Sequence, residues 1–334
     1  MASSLPRLLI LQPSINPAGG GNGVAVHAIE ALKTEAEITL VAWERVDAKA
    51  INAYYGTSLK TDEIRVLLVP RILDFARRIS GMRAALFQRY VLMRYGRRFA
   101  KEFDLTISFN NEIDVGQRAV QYIHFPWGFW PRPDADLQWF HRLPGLLSFY
   151  YRLGERLAPV SAERIAANRT LVNSDWTGER FIERYGGEVS TLYPPASGAA
   201  RPLPWSQRDS SFVILGRITP HKGIETAVDI VRALRERGHD ATLRIVGSRV
   251  ERGYARQLRK VASTESWIDL RFDVSRAELE TILASSRYGL HANPDEHFGI
   301  AVAEMILSGC IPFVPRGAGQ IEIVNGDERI VWSS

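Results

Sequence analysis

Two clusters in the second half of this 334-residue chain have the residue types and spacing to hold a phosphorylated ligand. Gly216-Arg217 follows the apolar run Phe212 to Leu215, and Lys222-Gly223 opens the segment after it. In an open parallel sheet, ligands bind at the carboxyl ends of the strands. Arg217 and Lys222 would converge there, beside a helix N-terminus that itself favours anions. Two fixed cations and a helix dipole can hold a diphosphate without a metal; two solvated basic residues at a strand–helix turn are the plainer alternative. The second cluster is Asp295-Glu296-His297-Phe298-Gly299-Ile300-Ala301-Val302-Ala303-Glu304. Glu296 falls in the loop after a strand, and Glu304 about one and a half turns into the next helix, so both can face one cleft. The backbone N–H groups of Phe298, Gly299 and Ile300 are helix-start donors, and Gly299 permits close approach of a ligand. A carboxylate pair accepting sugar hydroxyls, with N–H donors on a phosphate, fits a nucleotide-sugar. A helix with an acidic first turn has the same spacing.

In the first half, His124 follows the strand-like Val120 to Ile123 and precedes Phe125-Pro126. A lone histidine there is ordinarily a hydrogen-bonded structural residue. The glycine cluster Gly19-Gly20-Gly21-Asn22-Gly23 invites comparison with a dinucleotide fingerprint, and Glu44 lies after the second strand, where a ribose-binding acid would sit. However, Gln12 to Ala18 intervene between strand and glycines, and Gly21-x-Gly23 has Val26 where the fingerprint needs its third glycine or alanine. NAD binding is therefore set aside. Asp134-Ala135-Asp136 has the form of a metal-binding Asp-x-Asp, but it follows Trp130-Pro131-Arg132-Pro133, which cannot be a central strand. It reads as an exposed loop or helix start, and no metal site is expected.

The elements that must position these residues alternate. Leu8 to Leu11 reads as a buried strand, Gln12 to Gly23 as a turn-rich loop, and Val24 to Lys33 as a helix. Further strands are expected at 38–42, 64–69, 105–109 and 120–125, with a helix over 74–99 and another over 176–185 capped by Ser174 or Asp175. Tyr193-Pro194-Pro195, with Pro202 and Pro204, is the best linker. Beyond it the alternation resumes. Strands are expected at 212–215, 242–246, 268–272, 288–292 and 311–314. Helices are expected at 222–237, 254–262 and 299–307, together with one opened by a capping box at Ser275-Arg276-Ala277-Glu278. Such alternation predicts parallel sheets covered on both faces. The fold class is α/β, with two Rossmann-like domains facing a cleft, residues 1–195 and 196–334.

Composition narrows the class. Hydrophobic residues are 46% and charged residues 24%, an ordinary globular balance. One cysteine, Cys310, excludes a disulfide-built scaffold and points to a reducing compartment. No apolar run reaches the ~18–20 residues of a membrane-spanning helix, and the N-terminus lacks a signal-peptide layout. The net charge of +5 is local in origin. Residues Arg71 to Lys101 hold nine basic residues against one acid, Asp74, a local +8. With Phe75, Phe87, Tyr90, Met93 and Tyr95 at near-helical spacing, this segment can lie on an anionic membrane. A solvated helix face and a patch for an acidic acceptor remain alternatives. No reader motif accompanies it, so nucleic acid is not an expected partner. The aromatic stretch Trp127 to Tyr151 would line an acceptor groove or cover the core.

Several of these motifs, in order and spacing, resemble the donor-binding half of family 4 retaining glycosyltransferases of the GT-B fold. They are Gly216-Arg217-x4-Lys222-Gly223, Leu243-Arg244-Ile245-Val246-Gly247, Glu296-x7-Glu304 and the turn Gly317-Ala318-Gly319-Gln320-Ile321-Glu322. The Gly-rich loop, His124-Phe125-Pro126 and Val172-Asn173-Ser174 extend the resemblance to the first half. Tyr122 to Pro126, Asn173 to Thr177 and Leu192-Tyr193-Pro194-Pro195 are similar to the branch that makes lipid-linked oligosaccharides in the dolichol pathway. The resemblance implies that Arg217 and Lys222 neutralise the donor diphosphate as leaving group. It implies that Glu304 holds the ribose, and that Glu296 holds hydroxyls of the transferred sugar, with Phe298, Gly299 and Ile300 as backbone donors. His124 would orient that sugar, and the Gly19–Gly23 loop, through Gly20 and Gly21, would close over the phosphates. Front-face attack through an oxocarbenium-like transition state would retain configuration, with no metal and no cofactor beyond a GDP- or UDP-sugar co-substrate.

Mannose from GDP-mannose, passed to a saccharide or lipid-linked acceptor at the inner membrane face, is the donor that the dolichol-branch likeness implies. A nucleotide-sugar epimerase or phosphorolytic enzyme of the same fold, and a non-catalytic membrane-surface binding protein, are the alternatives. Family members continue past the glycine turn into helices, one of which crosses back to the first domain. This chain stops at Ser334, so the resemblance implies a second domain truncated at its C-terminal end.

Overall fold

The computed structural model describes residues 5–17, 19–70, 85–126, 145–198, 201–248 and 252–333. The chain divides into two compact units, Met1–Pro195 and Ala196–Ser334. The first holds seven strands: β1 (Arg7–Leu11), β2 (Glu37–Ala42), β3 (Ile64–Leu68), β4 (Leu105–Ser108), β5 (Val120–Ile123), β6 (Arg169–Val172) and β7 (Val189–Thr191). All pair in parallel, in the order β3-β2-β1-β4-β5-β6-β7. Leu8 of the central strand lies opposite Ile38 on one side and Leu105 on the other. Its side chains divide by the two-residue period of a strand. Leu8 and Ile10 pack with Val24, Ile29 and Ile51, while Leu9 and Leu11 pack with Val91 and Met93. An unbroken apolar run is what a strand covered on both faces requires.

The second unit repeats the plan with β8 (Asp209–Leu215), β9 (Thr242–Gly247), β10 (Ile268–Phe272), β11 (Ser286–Leu290), β12 (Ile311–Pro315) and β13 (Val331–Trp332). These are parallel, in the order β10-β9-β8-β11-β12-β13. Phe212 and Ile214 face the helix Ile224–Glu236, whereas Val213 faces Val302 and Met305 of the helix Ile300–Leu307. The expected α/β class with two parallel-sheet, Rossmann-like units is the architecture found. In each sheet the chain order reverses once, between β1 and β4 and between β8 and β11. Those switch points are where open α/β sheets place ligands.

Local differences have local causes. The first helix begins at Gly20, not at Val24, so Gly20 to Gly23 form its first turn instead of a loop. Side chains override the poor helix propensity of glycine there. The Tyr55 hydroxyl donates to the Gly19 carbonyl at 3.0 Å, while Gln12 Nε2 donates to Asn22 Oδ1 and Asn22 Nδ2 to the Asn16 carbonyl. Lys222 ends a short Pro220–Lys222 turn, and the long helix starts after it at Ile224. The Ser275 box is half made. Ser275 Oγ accepts from the Glu278 N–H at 3.2 Å, but the Glu278 carboxylate accepts from Arg271 instead. Ser174 is the cap of the helix Asp175–Tyr185. Asp134-Ala135-Asp136, Arg71 to Arg83 of the basic segment, and Trp127 to Phe140 of the aromatic stretch lie outside the described residues. Among the described residues no helix is long and apolar enough to cross a membrane.

Candidate functional site

The loops after β8 and β11, on either side of the switch point, bring Lys222 and Glu296 together. Lys222 Nζ donates to Glu296 Oε2 at 2.5 Å, and both side chains are only about a fifth exposed. Gly223 makes this reach possible. Its φ is +62°, and a Cβ there would collide with the Ala292 carbonyl just beyond β11. The turn carrying Lys222 can therefore press against the loop carrying Glu296. That loop is gripped from a third strand end. The Gly319 N–H donates to the Glu296 carbonyl at 2.9 Å, and buried Gln320 donates through Nε2 to the carbonyls of Pro294 and Pro315. The Gly317–Glu322 turn thus acts by holding the acid's backbone.

Burial alone would push the Glu296 carboxyl up. The ammonium of Lys222 and the histidines around it outweigh that and hold it down at about 2. It is therefore an ionised, acceptor-only group at neutral pH. Every contact it makes falls on Oε2; Oε1 accepts nothing from the described residues. Buried His291, at the end of β11, has Nε2 at 3.5 Å from the same Oε2, and burial followed by the Lys222 charge pushes its ring down to about 4.

Glu304 is placed differently. It lies in the helix Ile300–Leu307 and accepts from Arg276 Nη1 through Oε1 at 2.7 Å. Arg276 is itself fixed by Glu280 and by the Ser197 carbonyl. Burial raises the Glu304 carboxyl above its ordinary value against the pull of Arg276. Glu304 Oε2 accepts nothing among the described residues. The two acids of the motif thus belong to separate ion pairs, one with Lys222 and one with Arg276. Phe298 is buried, Gly299 caps the helix at φ +106°, and Ile300 is its first residue. Arg217 is exposed and has no acidic partner among the described residues.

In the first unit His124 follows β5 with its peptide clamped. Asn111 Oδ1 accepts from the N–H groups of His124 and Phe125 at 2.7 and 3.0 Å, and Asn173 Nδ2 donates to the His124 carbonyl at 3.0 Å. The ring meets the Phe109 carbonyl through Nε2 at 3.1 Å. A Cβ on Gly21 would stand 3.7 Å from His124 Cε1 and Nε2, so the imidazole lies against the start of the helix Gly20–Leu32. His124, Gly20 and Gly21 are therefore neighbours, with helix-start N–H donors beside the ring.

Sequence reasoning gave no individual site role to His291, Arg276, Asn111 or Gln320. Each acts across 5 to 28 residues of chain, through loop and helix placements that local spacing does not disclose. The basic segment is partly spent inside the protein. Arg89 is buried against Glu112, and Arg97 pairs with buried Asp114, which also holds Arg164. Arg94, Arg98 and Lys101 remain exposed.

Residues 200–332, nearly the whole second unit, match the family described as Glycosyl transferases group 1. The chain is similar to the GDP-Man:Man(3)GlcNAc(2)-PP-Dol alpha-1,2-mannosyltransferase of Dictyostelium discoideum, 25% identical over 174 residues, which are 46% of this chain and 34% of that protein. It is also similar to the GDP-mannose-dependent alpha-(1-6)-phosphatidylinositol dimannoside mannosyltransferase of Mycobacterium tuberculosis, 27% identical over 189 residues, 53% of this chain and 49% of that protein. The matched part thus spans from a third to a half of these relatives' lengths. Among solved structures, Anabaena HepE in complex with UDP superposes with a TM-score of 0.65 at 16% identity, covering 98% of this chain and 85% of that one. WaaG, a glycosyltransferase involved in lipopolysaccharide biosynthesis, gives 0.61 at 16% identity with the same coverage.

Proposed function

We propose that this chain, which has the GT-B fold and matches the group 1 glycosyltransferase family over its second unit, is a retaining, metal-independent hexosyltransferase that moves mannose from GDP-mannose onto a saccharide or lipid-linked acceptor. The Lys222–Glu296 pair at the switch point of the second sheet carries this reading. GDP-mannose is favoured by the names of the two mannosyltransferase relatives; the UDP bound to HepE makes a UDP-sugar the competing donor.

In this reading Arg217 and Lys222 meet the diphosphate, with the backbone N–H groups of Phe298, Gly299 and Ile300 beside them. Charge accumulates there as the leaving group departs, so fixed cations and dipoles stabilise the transition state more than the ground state. Glu296 offers Oε1 to a sugar hydroxyl. Held at about 2, it cannot serve as the proton donor to a leaving group near neutral pH. Glu304 offers Oε2 to a ribose hydroxyl. Within the first unit, His124 offers its ring to a sugar hydroxyl, and the helix start at Gly20 and Gly21 offers N–H donors to a phosphate. The protein's share of catalysis is positioning and electrostatics, with no protein nucleophile. On the acceptor side, the Arg71–Lys101 segment meets an anionic membrane surface, which places the enzyme at the cytoplasmic face as a peripheral protein.

Thermal unfolding with GDP, UDP, ADP and their sugars, with and without chelator, tests the donor. A ligand at 100 times its dissociation constant should add about 2.7 kcal/mol of stability. GDP and GDP-mannose should raise the melting point whether or not chelator is present. A rise with UDP compounds alone would replace the donor, and no rise with any nucleotide would remove the reading. NMR of the product then reads the anomeric configuration; inversion would refute the retaining mechanism.

A further inference from the structure

Glu296 directs one oxygen, Oε2, at Lys222 Nζ (2.5 Å), Asn293 Nδ2 (3.4 Å) and His291 Nε2 (3.5 Å). Only the lysine is at ion-pair contact, and the donor site proposed above, on which this inference rests, asks the same ammonium to meet a diphosphate. A mostly buried carboxylate that loses its cation becomes harder to keep ionised and harder to keep in place. His291 stands where a replacement donor is needed. It is 3% exposed, and its Nε2 is buried with no hydrogen-bond partner among the described residues. An unpartnered buried polar atom costs stability, which makes its retention informative. The His291 backbone is fixed, its N–H donating to the Phe313 carbonyl at 2.9 Å. From 3.5 Å, a small rotation of either side chain brings Nε2 and Oε2 to normal hydrogen-bond distance. Burial keeps the ring neutral, so Nε2 supplies a proton as a hydrogen-bond donor and not as a second charge.

We propose that His291 is a positioning residue: when a nucleoside diphosphate draws Lys222 away, His291 Nε2–H becomes the donor to Glu296 Oε2 and keeps Oε1 aimed at a hydroxyl of the donor sugar. Affinity for the sugar part of the donor then depends on His291, while affinity for the nucleoside diphosphate does not. The titratable groups acting on Glu296 are Lys222, His291 and His297; those acting on His291 are Glu296 and Lys222.

The test compares GDP with GDP-mannose, and UDP with UDP-glucose, by calorimetry on the whole chain. In His291→Phe, the affinity for the diphosphate stays within about twofold of the parent. The affinity for the nucleotide-sugar falls about tenfold, the size of one hydrogen bond to a charged group. The acid limb of nucleotide-sugar binding moves up by about one pH unit as Glu296 becomes easier to protonate. His291→Gln, which keeps an N–H donor, recovers most of both effects. Unchanged preference for the nucleotide-sugar and an unmoved acid limb in the phenylalanine variant would overturn the inference. So would equal losses for diphosphate and nucleotide-sugar, which would make the ring a structural filler. Imidazole 15N NMR of the parent reads the same bond without a substitution: the Nε2 resonance should shift on adding the diphosphate, and a resonance that stays put overturns the proposal. Failure of the parent to bind any diphosphate is a separate result. It removes the donor site itself and this inference with it.

Discussion

At the scale of single residues, the two acids of the Glu296–Glu304 motif should behave oppositely when neutralised. Glu296 titrates below its ordinary value of 4.5, at about 2, so its ionised form is favoured by folding. That contribution is complete above about pH 4.5 and is lost as pH falls towards 2. Glu304 is raised above 4.5, so its ionised form is disfavoured by folding. Its cost is absent at low pH and appears as pH rises through the folded value. Glu296→Gln should therefore lower stability at pH 7 by about 1–3 kcal/mol, because Lys222 loses its counter-charge in a mostly buried setting. Glu304→Gln should be no less stable than the parent at pH 7, since its amide oxygen still accepts from Arg276. Both should lose most of the proposed transferase turnover. Melting curves of the two variants at pH 7 and pH 4 read this contrast; a destabilised Glu304→Gln at pH 7 would show that the Arg276 pair outweighs burial.

At the scale of elements, the helix Ile224–Glu236 offers a controlled comparison, because a glycine in the left-handed region ends it on either side. Gly223 has φ +62° and its Cβ would strike the Ala292 carbonyl; Gly238 has φ +88° and open space around it. Gly238→Ala should cost about 1 kcal/mol of backbone strain and leave nucleotide binding intact. Gly223→Ala should cost more and weaken nucleotide binding, because the collision pushes the Lys222 turn away from the Glu296 loop. Equal effects on binding would separate Lys222 placement from this close approach. The same region shows what a sequence can and cannot disclose. Alternating apolar runs and glycines were enough to place β8, β9, β11 and the helices between them to within a few residues. The short helix Ala48–Tyr55, capped by Asp47, and the three-residue β7 were not expected, since neither carries a sustained apolar period. The site divides the same way. Arg217, Lys222 and Glu296 announce themselves through spacing at strand ends. The Arg276 grip on Glu304 arises only when the helices after β10 and β11 are packed together, and the His291 approach to Glu296 only when the loop after β11 folds back on the strand end.

At the scale of the whole molecule, charge is arranged against its own average. The chain totals +5, residues 71–101 hold +8, and everything else sums to −3. Residues 71–101 thus hold more positive charge than the whole chain, and attraction to an anionic bilayer is assigned to them. Not all of it is available. Arg89 and Arg97 are committed to Glu112 and Asp114 inside the first unit, where removing either would leave a buried acid short of a partner. Substituting them would report on folding and not on membrane binding. Arg98 and Lys101 are exposed, and neither is paired with an acid among the described residues. The double reversal Arg98→Glu, Lys101→Glu changes the local charge by four. With about 1 kcal/mol per basic residue near an anionic surface, it should weaken binding to phosphatidylglycerol vesicles by more than tenfold. Binding of the parent should itself fade as salt rises from about 0.05 to 0.5 M, where the screening length shortens to a few ångströms. Donor affinity should stay unchanged, because nothing in the donor site involves this segment. Vesicle sedimentation with and without phosphatidylglycerol reads the outcome. Equal binding to neutral vesicles, or no loss in the double variant, would move the role of this segment from a membrane surface to an acidic acceptor.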